Sequence, residues 1–235
     1  MNAQLLYQNG QLRQAIDSLS AALRDDPTAV RQRTFLFELL CFAGEYERAE
    51  KQLNLIASSG PDAEMGSLLY RSALHAERLR QEMFLAQVPV AQSQPSDALS
   101  GKLNDQAFSR LSDADPRIGA RLEVFVAGQY SWIPFDQIAS ITASPPQRLR
   151  DLLWIPAVVR PGPDYKDVEL GEVLIPALTP LAWQHEDEEV RLGRMTDWEE
   201  LPDGTVVPVG LKLLEIDGEL VPILELRELE ITPAS

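Results

Sequence analysis

From Gln4 to about Gln87 apolar residues recur at spacings of three and four; from Arg121 onward they recur at every second position. The first spacing lines one face of a helix and the second one face of a strand. The chain therefore changes structural class near its middle. Helices are predicted over 3–9, 12–24, 29–42, 46–58 and 63–86, with Gly10, Asp26-Pro27, Gly44 and Gly60-Pro61 as the breaks. Val88 to Gly101, with its Pro, Gln and Ser, reads as a linker, and a short helix is expected around Asp105 to Leu111. Beyond it Leu122, Val124 and Val126 alternate with Glu123, Phe125 and Ala127, and Gly128-Gln129 turns the chain into Tyr130-Ser131-Trp132-Ile133. Further strands are predicted at 152–159, 168–176, 190–196, 205–214 and 219–226, with Ile216-Asp217-Gly218-Glu219 as the hairpin turn between the last two. Pro134, Pro156, Pro176, Pro208 and Pro222 keep such strands short and bent.

The helical half repeats itself. Gly10 and Gly44 lie 34 positions apart, and at the same offset Leu12 returns as Tyr46, Ala15 as Ala49, Leu19 as Leu53, Ala22 as Ile56 and Pro27 as Pro61. That period is the signature of a tetratricopeptide (TPR) repeat, in which helix pairs stack because none can bury its apolar face alone. Gly10, Leu12, Ala15, Leu19, Ala49 and Leu53 then form the close-packed crossing. The first helix of each pair lines a concave face, which places Gln4, Tyr7, Arg31, Thr34, Glu38 and Cys41 there as candidate groove residues. The fold class expected is α+β: a TPR-like helical domain over 1–90, a linker with a short helix over 91–114, and a small, mainly antiparallel β-rich domain over 115–235. The two domains are expected to be separate packing units.

Charge changes the picture in the second half. The formal net charge of −15 is spread as −2 over residues 1–90 (11 acids, 9 bases), −1 over 91–120 and −12 over 121–235. Such an acidic surface repels phosphate backbones, so nucleic acid is not an expected partner. No apolar run approaches the roughly 18 residues of a membrane span. Met1-Asn2-Ala3-Gln4-Leu5 carries no basic segment leading into an apolar one, so no signal peptide is expected and the cytoplasm is the expected location. A single cysteine, Cys41, allows no internal disulfide and is expected to be a small packed side chain.

Catalytic chemistry finds little to work with. His75 and His185 stand in no metal-ligand spacing, and no Gly-rich phosphate loop occurs. His185-Glu186-Asp187-Glu188-Glu189 reads as a solvated acidic loop. Asp113 and Asp115, before Pro116, read as turn or cap residues. Arg148, Arg150 and Asp151, after Pro145-Pro146, read as an ion pair or the cap of a short helix. Trp132, Phe135, Trp154 and Trp198 read as core, because aromatic side chains bury large areas. No catalytic residue, metal or cofactor is expected.

One set of motifs is more specific. Asp113-Ala114-Asp115-Pro116-Arg117-Ile118-Gly119 runs into Leu122-Glu123-Val124, followed by Gly128, Tyr130, Trp132, Pro134-Phe135 and Ile138. Pro146, Leu149-Arg150-Asp151-Leu152, Trp154 and Pro156-Ala157 come next, then Leu192-Gly193-Arg194 and Thr196-Asp197-Trp198. Together with the helical repeat, this chain resembles the ImpE family, also called TagJ, of type VI secretion accessory proteins. Two segments depart from the family pattern: Leu178-Thr179-Pro180-Leu181 and Gly210-Leu211-Lys212. The resemblance implies a non-catalytic adaptor at the contractile sheath. Its implied partners are the N-terminal helix of the small sheath subunit TssB and, directly or indirectly, the disassembly ATPase ClpV. Two alternatives stay open: a TPR chaperone for an unassembled subunit, and an enzyme with a pocket in its C-terminal domain.

Overall fold

The computed structural model describes residues 2–86, 99–162 and 171–232. Five helices come first: α1 (Ala3–Gln8), α2 (Leu12–Asp25), α3 (Val30–Phe42), α4 (Tyr46–Ala57) and α5 (Pro61–Leu85). Each agrees with its predicted span to within two residues. Asn2 caps α1 by accepting from the Gln4 N–H. Leu12, Ala15, Ile16, Leu19 and Leu23 make the buried stripe of α2, and Ala49, Leu53 and Ala57 that of α4. Pro61 opens α5 at its first turn, where a missing N–H costs nothing. At 25 residues α5 runs about 37 Å. No helix among the described residues is long and apolar enough to cross a membrane.

The second half is antiparallel throughout its described strand pairs. β1 (Ser100–Leu103), β2 (Gln106–Phe108) and β3 (Leu111–Asp113) precede a hairpin of β4 (Arg121–Val126) and β5 (Gln129–Pro134). After these come β6 (Ile138–Ala143), β7 (Trp154–Pro161), β8 (Glu172–Pro176), a short helix α6 (Glu188–Arg191), β9 (Thr196–Glu200), β10 (Val206–Gly210), β11 (Leu213–Ile216), β12 (Glu219–Pro222) and β13 (Glu228–Thr232). Eight strands form one sheet in the order β2-β1-β13-β6-β7-β8-β4-β5; β12-β11-β3 and β10-β9 form two smaller ones. The turns of the β4–β5 and β11–β12 hairpins each put two successive residues at positive φ: Ala127-Gly128 (49° and 80°) and Asp217-Gly218 (52° and 91°). That is the mirror-image turn whose twist matches the strands it joins.

The structure corrects three expectations. Where a short helix was expected at Asp105 to Leu111, the chain makes the β1–β2 hairpin, with Asn104 and Asp105 at positive φ in its turn. Asn104 fixes that turn through its side chain, donating to the Glu225 carbonyl and accepting from the Arg227 and Glu228 N–H groups. The strand expected over 190–196 begins instead as α6, because Asp187 caps it by accepting from the Glu189 N–H. The expected linker lies largely outside the described residues.

The third correction concerns the two halves, which are joined by a common apolar cluster although the strands also keep a core of their own. The apolar cluster of the helices, with Leu36, Phe37, Leu39, Leu40, Phe42 and Leu74, continues directly into Phe125, Leu153, Trp154 and Leu174. Alternation along the strands explains the join. On β4 Leu122 and Val124 face the strand core while Phe125 faces the helices, and on β8 Val173 and Ile175 oppose Leu174 in the same way. The centre of the large sheet is thus covered on both faces. For the same reason every residue of α3 from Leu36 to Phe42 is buried. A helix apolar all round is a helix surrounded.

Candidate partner-binding groove

The β-rich half does not cover the whole first-helix face of the repeat. Between α1, α3 and residues 146–152 it leaves an open cleft of about 500 Å³. Gln4 and Tyr7 come from α1, Phe35 and Glu38 from α3, and Pro146, Leu149 and Leu152 from the opposite wall. Tyr7 and Phe35 meet edge to face, with ring centroids 5.7 Å apart and planes at 86°. A neighbouring recess of about 370 Å³ shares Gln4 and Phe35 and adds Leu19, Ala22 and Arg31, so the two form one trough across α1 and α3.

The far wall is built by local chemistry. The Asp151 carboxylate accepts from the Gln147 and Arg148 N–H groups, both at 2.9 Å, and this capping folds 149–152 into a 3₁₀ turn. Leu149 and Leu152 are thereby held against the helical cluster. Arg150 lies over the Tyr70 ring at 4.4 Å from its centroid. The expectation that Asp151 caps a short helix is met.

Of the six candidate groove residues the structure brings Gln4, Tyr7 and Glu38 together in the cleft and puts Arg31 in the adjoining recess. Thr34 is half-buried on α3, and its hydroxyl donates to the Val30 carbonyl of its own helix. Cys41 is buried beside Trp154 and Trp183, so the shared core takes it away from the groove. Burial pushes its thiol well above the usual range, and the nearby Glu77 and Glu38 add to this. Phe35, Pro146, Leu149 and Leu152 escape a reading of the repeat alone. Three of them belong to the other half of the chain, and Phe35 sits one turn from Arg31 in a helix with no clean apolar stripe.

A buried ionic cluster joins α5 to the sheet. Arg80 gives Glu123 two hydrogen bonds, Nε to Oε1 at 2.7 Å and Nη2 to Oε2 at 3.0 Å, and reaches Glu77 at 3.1 Å and the Leu178 carbonyl at 2.9 Å. Lys212 bridges Glu123 and Asp113. Tyr130 donates to Glu123 and accepts from Trp132 Nε1, while Trp154 Nε1 donates to Glu77 at 2.9 Å. Burial alone would raise the Glu123 carboxyl, but Arg80 and Lys212 outweigh it and hold it down to about 2. At Asp113 burial wins over Lys212 and the carboxyl is pushed up to about 6. Lys212 sits in one of the two segments that depart from the family pattern, and there it is 2% exposed.

A second set of contacts joins the C-terminal half to the repeat turns. Gln81 accepts from the Leu181 N–H at 2.9 Å and from Trp183 Nε1 at 3.3 Å. Glu188 accepts from the Arg13 N–H at 3.0 Å, supplying α2 with the cap that Gln11 does not. Arg194 lies over the Tyr7 ring and donates to the Gln8 carbonyl. The acidic stretch after His185 therefore reaches α2 through Glu188, while Glu189 pairs with Arg194, which itself donates to the Gln8 carbonyl. Among the aromatics read as core, Phe135 and Trp154 are buried and Trp132 is half-buried. Trp198 is 44% exposed, because β9 pairs on one side only and in a two-stranded sheet. Asp115 is the expected turn residue, taking the Arg117 N–H and guanidinium; Asp113 accepts the Asp115 N–H and also anchors Lys212.

A helical repeat docked through one core onto an antiparallel sheet defines an α-repeat accessory fold with a groove at its open end. The family model for the ImpE protein matches residues 105–230, and that for the tetratricopeptide repeat matches residues 6–71. The type VI secretion system accessory component TagJ of Pseudomonas aeruginosa is 31% identical over 266 aligned positions, covering 99% of this chain and 92% of that one. A crystal structure of a Vibrio parahaemolyticus protein superposes with a TM-score of 0.84 over 99% of this chain and 98% of that one; at 22% identity it speaks to fold. The chain belongs to the ImpE (TagJ) family of type VI secretion accessory proteins.

Proposed function

We propose that this protein is a non-catalytic, cytoplasmic adaptor that takes the N-terminal helix of the small sheath subunit TssB into the cleft between α1, α3 and residues 146–152. Through that contact it links the sheath to disassembly driven by ClpV. One observation carries the reading: the end of α3 and part of α5 pack on the protein's own sheet, while an open cleft remains where Tyr7, Phe35, Leu149 and Leu152 converge. An amphipathic helix docks in such a groove through apolar anchors at i, i+3, i+4 and i+7. The aromatic pair at its floor is the kind of site where binding energy concentrates.

The test is a titration of a labelled TssB N-terminal peptide into the intact protein, repeated with Tyr7→Ala and Leu149→Ala. Saturable binding is expected, weakened roughly tenfold, or about 1.4 kcal/mol, in each variant. Apolar anchoring makes it insensitive to moderate salt. Binding untouched by both variants moves the site elsewhere, and absence of binding removes the adaptor reading.

A further inference from the structure

Two charged residues line the cleft, the buried Glu38 and the exposed Arg148, and the two are not paired with each other. Glu38 is 7% exposed, and among the described residues nothing stands in hydrogen-bond or ion-pair contact with its carboxylate. The charged groups facing it from the opposite wall are Arg150, Asp151 and Arg148; from α1 it meets Tyr7, and along its own helix Cys41. Arg150 is stacked on Tyr70, and Asp151 is occupied in capping its own turn. Arg148 is exposed at the rim. A carboxylate taken from water without a partner costs several kcal/mol in general, so such groups are found paired. Here the carboxylate borders an open cleft of mixed polar and apolar lining.

Resting on the reading of this cleft as a partner groove, we infer that the bound helix carries a lysine or arginine among its apolar anchors, and that this cation pairs with Glu38. Leu149 and Leu152 fit the aliphatic stem of such a side chain, and Phe35 offers an aromatic ring near the charged head. A partner carboxylate would meet Glu38 unfavourably.

The pairing has a proton signature. Burial pushes the Glu38 carboxyl up to about 7, with Arg150 and Arg148 opposing and Asp151 reinforcing. At pH 6 the acid is mostly protonated and at pH 8 mostly ionised. A cation that needs the ionised form therefore binds about tenfold more tightly at pH 8 than at pH 6, in proportion to the competent fraction.

The experiment uses the full chain and its Glu38→Gln variant at pH 6 and 8. One arm titrates the labelled TssB N-terminal peptide; a second follows aromatic NMR signals during titration with phenethylammonium and with the neutral 2-phenylethanol. Peptide affinity rising about tenfold with pH in the wild type, and lower and flat in Glu38→Gln, supports the pairing. Peptide binding equal at both pH values and in both proteins overturns it and leaves the groove standing. If the peptide fails to bind but phenethylammonium saturates the wild type at pH 8, and neither Glu38→Gln nor 2-phenylethanol does so, the cation site stands and the peptide is the wrong partner. Equal responses to the ammonium and the alcohol, with no peptide binding, overturn both.

Discussion

Glu123 receives Arg80, Lys212 and Tyr130 in one buried place, and its carboxylate, on β4, joins α5 to β5 and to the segment between β10 and β11. Its replacement by Gln leaves two cations facing Glu77 and Asp113 with less negative charge than they need. Breaking a buried ion cluster on one side costs roughly 3–5 kcal/mol, and urea unfolding of Glu123→Gln is expected to show a loss of that order. An unchanged midpoint would mean the cluster contributes nothing to holding the halves together. Glu38 gives the opposite sign. Its carboxyl lies at about 7 in the folded protein against 4.5 for an ordinary glutamate, so the fold loses stability as pH rises from about 4.5 through 7. Glu38→Gln is therefore expected to match the wild type near pH 4.5 and to be more stable by roughly 1–3 kcal/mol at pH 8. Equal stability of the two at pH 8 would contradict the burial of an unpaired charge. Little of this was legible from residue spacing. Glu123 reads as the outward member of an alternating strand, and only the arrival of α5 on that face makes it buried. Lys212 reads as a departure from a family pattern, and its two acids lie about 90 and 100 positions upstream. Tyr7 and Glu38, by contrast, follow from the repeat alone.

At the scale of elements the 34-residue period carries most information, and its two glycines carry more than helix breaking. Gly10 and Gly44 adopt φ of 74° and 69°, and each is covered by the other half of the chain. A Cβ on Gly44 would lie 2.4 Å from the Trp183 ring, and one on Gly10 would strike the Glu189 carboxylate. Gly204 shares the positive φ, at 84°, but has nothing within 4 Å. Gly204→Ala is thus expected to cost about 1 kcal/mol of backbone strain, and Gly44→Ala roughly 1–3 kcal/mol more through overpacking against Trp183. Equal melting temperatures for the two variants would show that Trp183 does not seat on that turn. The helices were legible because Gly and Pro breakers separate them and α2 and α4 carry clear apolar stripes. The strands were less so: β6 follows a 3₁₀ turn, and its buried Ile138, Ile141 and Ala143 do not keep a two-residue alternation. The run over 205–214 is broken at Leu211-Lys212, where Lys212 turns inward to its acids and the chain passes from β10 to β11. α6 hides in an acidic stretch, since a four-residue helix has no periodicity to read.

For the whole molecule, the continuous core from Leu36 and Phe37 to Phe125 and Trp154 means that neither half is complete without the other. Heat or urea is expected to unfold the protein in one transition seen alike by helical and tryptophan signals, because both halves draw on the same buried contacts. A nick within 92–100 is expected to leave the two pieces associated under native conditions. Two separated transitions would restore the picture of independent units that the composition change near residue 90 invites. That picture arises because composition reports local class, while the docking of sheet on repeat is made by residues such as Trp154 and Glu77 that lie far apart in sequence. The same docking shapes the proposed site, since residues 146–152 of the second half form one wall of the cleft against α1 and α3. Hydrogen exchange on the intact protein, with and without the TssB N-terminal peptide, tests this most directly. Protection is expected in α1, α3 and residues 146–152, with little change in β9 and β10. Protection centred on the exposed hairpin around Trp198, with α1 and α3 unchanged, would contradict it.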